Sequence, residues 1–390
     1  MSKIEKLIKE LCPNGVEYKK ISDICSKIYS GGTPKTSNRE FYNGNIKWLR
    51  SGEINFNELY DTEIYITEKG LNNSSAKIIP TKSVVIALTG ATVARTAIIM
   101  EEMSMNQSVC ALIPNDEINY RFLYQCLTNQ YKKLKHSGQG VLTSLNLDKI
   151  KKIKIPVPPL EVQEEIVRIL DKFRELEAEL EAELEARKSQ YEFWREKLVK
   201  EGQLTEISKV FKRLKGTKIT AGRMQEIAKN DGNVKVFAGG QTRVNVDETE
   251  IPFQNIINVP SVIVQSRGLI DFIYYDKLFT FKNEMWAYTC DNPVTVKYLY
   301  YSLKSNVNHF RSIGKQMGSM PQISLPITEK YKINIPSLQE QQRIVNILDK
   351  FDKLVNDISE GLPAEIEARR KQYEYYRNKL LSFEELIIND

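Results

Sequence analysis

The sequence predicts a mixed α/β (α+β) protein built as a pseudo-two-fold tandem repeat. Two bodies of short strands and short helices are separated by two long antiparallel helices that form a coiled-coil-like pair. Three observations predict it. The first is self-similarity: a shift of 178 residues sets "KIPVPPLEVQEEIVRILDKF" (Lys154 to Phe173) on "KINIPSLQEQQRIVNILDKF" (Lys332 to Phe351) with twelve identities in twenty. A shift of 182 then sets "EARKSQYEFWREKL" (Glu185 to Leu198) on "EARRKQYEYYRNKL" (Glu367 to Leu380) with nine in fourteen, so the second copy carries four extra residues. The second is periodicity: Ile166, Leu170, Phe173, Leu176, Leu180, Leu184, Tyr191, Trp194 and Leu198 recur mostly at steps of three or four, an apolar stripe on a charged rod. The third is charge, which alternates along the chain. Residues 1–160 carry 22 Lys and Arg against 15 Asp and Glu, and residues 202–337 carry 18 against 11, +7 in each case. Residues 161–201 carry 8 against 13 and residues 338–390 carry 8 against 11, so two basic bodies alternate with two acidic rods.

In chain order, the start "MSKIEKLIKELCPNGVEY" has no long apolar stretch ahead of a small-residue cleavage site, and nowhere do eighteen apolar residues run together. A cytoplasmic protein is expected. The runs "KSVVIALTGATVARTAIIM" (Lys82 to Met100) and "PSVIVQSRGLIDFIYY" (Pro260 to Tyr275) are β-branched and broken at a glycine, and Gly90 and Gly268 stand 178 apart. A short aromatic helix follows in each body, "YRFLYQCL" and "VKYLYYSL". Pro156, Pro158 and Pro159 before the first rod, and Pro336 before the second, mark where extended chain gives way to helix. The second rod repeats the stripe through Ile344, Leu348, Phe351, Leu354, Ile358, Ile366, Tyr373, Tyr376 and Leu380, with a break or kink expected at Gly361 and Pro363. The divisions are therefore 1–159, 160–201, 202–337 and 338–390.

Catalytic signatures are missing. There is no glycine-rich loop ending in Gly-Lys-Ser/Thr, no GxGxxG after a strand, and no Asn-Pro-Pro-aromatic motif; "DNPV" at Asp291 lacks the second proline. His136 and His309 are the only histidines, and the five cysteines (Cys12, Cys25, Cys110, Cys126, Cys290) contain no CxxC pair, so neither a metal site nor a nucleophile-base pair is expected. The cysteines read as small core residues.

The bodies instead carry polar, basic, glycine-bearing loops. A basic surface is the footprint of a polyanion, nucleic acid above all. In "YSGGTPKTSNR", Gly31 and Gly32 offer backbone N–H groups, Thr33 and Thr36 hydroxyls and Lys35 a charge, a set that suits a phosphate. "VFAGGQTRVN" is taken as the second body's version, with Gly239 and Gly240, Gln241 for adenine and Arg243 for guanine or phosphate. Arg50, Thr89, Thr92 and Arg95 join the first set with Gln139 and Ser144, and Gln265, Arg267, Lys315 and Gln316 join the second.

With "YSGGTPKT", "IKIPVPPLEVQEEIVRILDKF", "EARKSQYEFWREKL", "IPSLQEQQRIVNILDKF" and "GLPAEIEARRKQYEYYRNKLL" in view, the chain resembles the specificity subunits of type I restriction-modification systems over nearly its whole length. The resemblance implies two target-recognition domains, 1–159 and 202–337, each reading one half of a split double-stranded DNA sequence. It implies two conserved long helices, 160–201 and 338–390, that set the spacer and dock partners. Two methyltransferase (M) subunits, and restriction (R) motor-nuclease subunits, would then supply the chemistry. S-adenosylmethionine, ATP and Mg would belong to those partners, with no cofactor and no catalysis in this chain. Tyr191, Phe193 and Trp194, with Tyr373, Tyr375 and Tyr376, exceed what one helix seam buries, and Phe193, Trp194, Tyr375 and Tyr376 are expected to meet the partners. Two other classes of protein would share the basic surface: a stand-alone nuclease with an unrecognised site, and a scaffold that never touches DNA.

Overall fold

A computed structural model describes residues 3–136, 144–240, 242–315 and 320–386. The chain forms two compact units, Met1–Glu179 with Glu367–Asp390 and Leu180–Ile366. Each is a mixed α/β body carrying its own stretch of helix pair.

In unit 1 the main sheet runs Cys25–Ser30, Val109–Pro114, Ser83–Ala87, Thr96–Ile99, Glu58–Leu59. In unit 2 the order Lys212–Lys215, Trp286–Thr289, Ser261–Gln265, Asp271–Tyr275 repeats its first four places. The continuous β-branched runs are explained by burial on both faces: every residue of Ser83–Ala87 and of Ser261–Gln265 is buried. Beside each main sheet stands a parallel pair, Trp48 and Leu49 on Ser104 and Met105 in unit 1, and Lys235, Val236 and Phe237 on Phe279, Thr280 and Phe281 in unit 2. The aromatic helices are Tyr120–Asn129 and Pro293–Ser305, each started by an asparagine whose side chain accepts two backbone N–H groups. Such a cap is worth about 1 kcal/mol.

The repeated motif before each rod has a shared physical role. Gln163 and Gln341 are buried polar side chains at equivalent places. Gln163 Nε2 donates to Glu117 O and Pro158 O while its Oε1 accepts from Asn119 N. Gln341 Nε2 donates to Pro336 O while its Oε1 accepts from Thr295 Oγ1. One glutamine per unit thus straps the rod's first turn to the start of the aromatic helix. A second tie follows about two turns along each rod. Arg121 Nη1 donates to Asp171 Oδ2 at 3.2 Å, and Lys297 Nζ lies 3.1 Å from Asp349 Oδ1. Burial pushes the Asp171 carboxyl above its ordinary range while Arg121 and Arg174 pull it back.

The first rod is one helix, Leu160–Leu198. The second consists of Leu338–Asn356 and Leu362–Leu380, and the expected break falls on the turn through Asp357 and Gly361, with Pro363 in the opening turn of the following helix. Gly361 is required there because a Cβ would lie 2.5 Å from Lys353 O. The four additional residues of the second copy are accommodated by this turn. The pairing is antiparallel within unit 1: Phe173 stacks on Tyr376 at 5.3 Å, and Glu177 meets Arg370 at 2.6 Å. Within unit 2, Tyr191 stacks on Phe351 at 6.1 Å and donates to Asp352 Oδ1. Stripe residues Ile166, Leu170, Ile344 and Leu348 are buried, whereas Leu176, Leu180 and Leu184 are half-buried.

Candidate nucleic-acid interface

In unit 1 the register brings several loops to one edge. Ser30 pairs with Cys110 and Ala87 with Val109, so the segments leaving Ser30 and Ala87 and entering Val109 emerge together. Asn106 N donates to Leu49 O at 3.0 Å, which adds Arg50; Leu88 N donates to Ser108 O, and Leu145 N donates to Leu88 O at 2.8 Å, which adds Ser144. Thr33, Lys35, Thr36, Thr89 and Ser144 are exposed on this edge. Thr33 donates to Gln107 Oε1, Thr92 donates to Ser51 O, and Arg95 Nη1 donates to Asn55 Oδ1. Arg50 is ion-paired with Glu63 and lies 3.7 Å from Glu53, so its charge is shared internally. Gln139 falls outside the described residues.

Gly31 and Gly32 lie beneath the surface of this edge. Both are buried, and Gly32 N–H is donated to Met105 O at 3.1 Å. A Cβ on Gly31 would lie 1.9 Å from Met105 O and one on Gly32 would lie 2.0 Å from Ser75 Oγ. Gly31 is held to glycine by the strand Met103–Met105 and Gly32 by the bend at Ser75.

The same edge is rebuilt in unit 2, with a correction to the expected correspondence. The counterpart of "YSGGTPKT" is "LKGTKIT" (Leu214 to Thr220), not "VFAGGQTRVN". It follows the strand equivalent to Cys25–Ser30, a Cβ on Gly216 would lie 2.0 Å from Phe281 O, and Thr217 N donates to that same oxygen. "VFAGG" follows the parallel pair instead, so Ala238 to Gly240 stand where Arg50 to Gly52 stand in unit 1; Lys282 N donates to Phe237 O just as Asn106 N does to Leu49 O. Gly239 and Gly240 are half-buried with open space where a Cβ would go.

Gly240 N–H meets Arg267 O at 3.4 Å, Gly268 N–H donates to Pro321 O at 2.9 Å, and Ile323 N donates to Ser266 O, so three loops converge here as in unit 1. Arg267 is exposed on one of them, Arg243 is exposed at the start of the strand Arg243–Val246 and lies over the Phe237 ring, and Lys315 is exposed at the end of the helix Val307–Lys315. Gln265 is not a surface reader: it is buried inside its strand, and its Nε2 has no partner among the described residues. Gln241 and Gln316 fall outside the described residues.

Sequence reasoning missed several groups. Lys218 is exposed two residues after Gly216, the signal being the glycine itself; Gln107 is visible only through the fold. Exposed Lys132, Lys133, Lys135, Lys149, Lys151 and Lys152 lie on or next to the short helices Tyr131–His136 and Leu147–Lys151, in the sequence flanking Ser144. Four cysteines are buried, Cys290 is half-buried, and burial raises the pKa of all five thiols, the reverse of an activated nucleophile. Among the described residues no cluster of metal-ligating side chains occurs, and no helix is long and apolar enough to cross a membrane.

Of the aromatic residues on the rods, Phe193 and Tyr375 are 58% and 60% exposed at equivalent places in the two units. Trp194 and Tyr376 are half-buried, Tyr376 on Phe173 and Trp194 beside Phe193 and Lys197. Leu160 and Leu338, the first residue of each rod, form a second exposed pair at equivalent places that sequence reasoning passed over.

Two similar bodies with matching loop edges define a tandem DNA-specificity protein, and comparison bears this out. The type I restriction modification DNA specificity domain matches residues 13–186 and again residues 196–368. The chain belongs to the family of type I restriction-modification specificity subunits. It is 38% identical over 261 residues to the EcoR124I/EcoR124II type I restriction enzyme specificity subunit of Escherichia coli, a match spanning 60% of this chain and 63% of that protein. It is 34% identical over 306 residues to a putative type I restriction enzyme specificity subunit of Haemophilus influenzae, covering 71% and 76%. The fold is similar to the type I restriction-modification S subunit from M. genitalium, with a TM-score of 0.59 at 15% identity over 94% of this chain and 96% of that one. It is also similar to the specificity subunit of Thermoanaerobacter tengcongensis, with a TM-score of 0.51 at 14% identity over 95% and 97%.

Proposed function

We propose that each unit reads one half of a bipartite DNA target through its loop edge, residues 1–159 supplying one recognition domain and residues 202–337 the other. The rods, 160–201 and 338–390, set the spacer and dock two methyltransferase subunits, and restriction motor-nuclease subunits join the same complex. S-adenosylmethionine, ATP and Mg are held by those partners. One observation carries the reading: the same backbone edge occurs twice with different side chains on it. Thr33, Lys35, Arg50, Thr89 and Ser144 occupy the first, and Lys218, Arg243, Arg267 and Lys315 the second. A common frame with altered side chains is what two unlike half-sites demand.

The duplicated exposed pairs, Phe193 with Tyr375 and Leu160 with Leu338, support two copies of one partner addressed through equivalent surfaces. The test is DNA binding by the chain assembled with its methyltransferase at several salt concentrations. Six phosphate contacts would weaken binding about 10³-fold between roughly 50 and 200 mM salt. A flat response removes the electrostatic basis of the reading and favours a scaffold.

A further inference from the structure

The loop edge of unit 2 exposes apolar as well as basic side chains. Leu269 is 44% exposed and Met320 is 62% exposed. They lie on the two loops joined by the Gly268 N–H to Pro321 O bond and by the bridge pairing Arg267 with Gln322. The backbone holds Leu269 outward: Gly268 turns the chain at φ +72°, and the next residue, Ile270, is back in the core. A leucine left in water at a rigid turn forgoes burial that its neighbour Ile270 obtains. At the equivalent turn of unit 1, after Gly90 at φ +79°, the exposed residue is Ala91. The difference between the units at this position is therefore one of apolar reach.

What covers these side chains has to suit their neighbours. Arg267 is exposed on the first of these loops and Lys315 is exposed at the end of the helix Val307–Lys315, and both favour a polyanion. Along the major-groove edge of a base pair, the apolar feature is the C5-methyl group of thymine. We propose that Leu269 and Met320 form an apolar contact for a thymine methyl in the half-site read by unit 2, with Met320 adapting to the gap that Leu269 leaves. This rests on the proposal that unit 2 reads a half-site, and it adds the chemistry of one contact.

The experiment replaces each thymine of that half-site, identified from methylated chromosomal sites, by deoxyuridine, which removes only the methyl. Binding is measured with the chain assembled with its methyltransferase. One substitution is expected to weaken wild-type binding roughly three- to fivefold, the worth of one buried carbon, and to cost Leu269→Ala with Met320→Ala less than twofold. Leu269→Met, which keeps the apolar surface, should retain the wild-type response. Deoxyuridine in the other half-site should affect wild type and variants alike. A half-site without thymine, or an equal deoxyuridine effect in wild type and variants, overturns the contact. So do variants that lose binding while deoxyuridine has no effect, since that pattern assigns the side chains to a wedge between base pairs. Failure of the wild-type complex to prefer its target over scrambled duplex instead defeats the reading beneath the proposal, and the proposal with it.

Discussion

Gly31 lies so close under Met105 that a Cβ on it would stand 1.9 Å from the Met105 carbonyl oxygen, and Gly216 repeats the relationship under Phe281 at 2.0 Å. Each glycine is where the main sheet hands the chain to the parallel pair. Gly239, by contrast, has nothing within 4 Å of where a Cβ would be.

Substitution separates the two kinds of glycine. Gly31→Ala and Gly216→Ala force backbone apart and should each cost about 2–4 kcal/mol. Gly239→Ala should stay within about 0.5 kcal/mol of wild type. Urea denaturation of the three variants checks this. Equal stability for all three would mean the close approach is not a constraint.

These glycines also mark where reading the sequence reached its limit. The repeat, the rods, the break at Gly361 and Pro363 and the loops around Thr89 and Arg267 were legible, because identity at fixed spacing and apolar periodicity are local properties. The partner of "YSGGTPKT" was not. "VFAGGQTR" shares its paired glycines, whereas "LKGTKIT" keeps one glycine with its Thr and a nearby Lys, and what fixes its correspondence is its place beneath Phe281, more than sixty residues away. Gln265 misled for a related reason. A polar residue ending a β-branched run reads as a surface group, but the sheet is covered on both faces there.

Partner docking should depend on the rods more than on the bodies. Phe193→Ala and Tyr375→Ala remove exposed rings, 58% and 60% accessible, that contribute little to either core. Each is expected to weaken methyltransferase assembly by about 1–3 kcal/mol, the range of an interface aromatic, and to leave the melting temperature within a degree or two. Analytical ultracentrifugation beside calorimetry distinguishes this from a structural role, in which melting falls and assembly holds.

The stretch "LEAELEAELEAR" (Leu176 to Arg187) repeats a four-residue unit inside an unbroken helix. Deleting Leu180 to Glu183 shortens that helix by about 6 Å at 1.5 Å per residue and turns its phase by about 40°. Against about 3.4 Å of duplex per base pair, the spacer between half-sites should contract by one or two base pairs, with the turn at Asp357 to Gly361 taking up the mismatch. Both half-site sequences should persist in the methylation map of the variant. An unaltered spacer at full activity would mean that this rod does not set the distance.

Exchanging residues 202–332 for the equivalent body of a relative tests whether the two bodies read their half-sites independently. Methylated adenines are then mapped across the chromosome of a cell carrying the hybrid and its methyltransferase. One new half-site is expected, with the other half-site retained and the spacer unchanged. A change in both half-sites would contradict that independence.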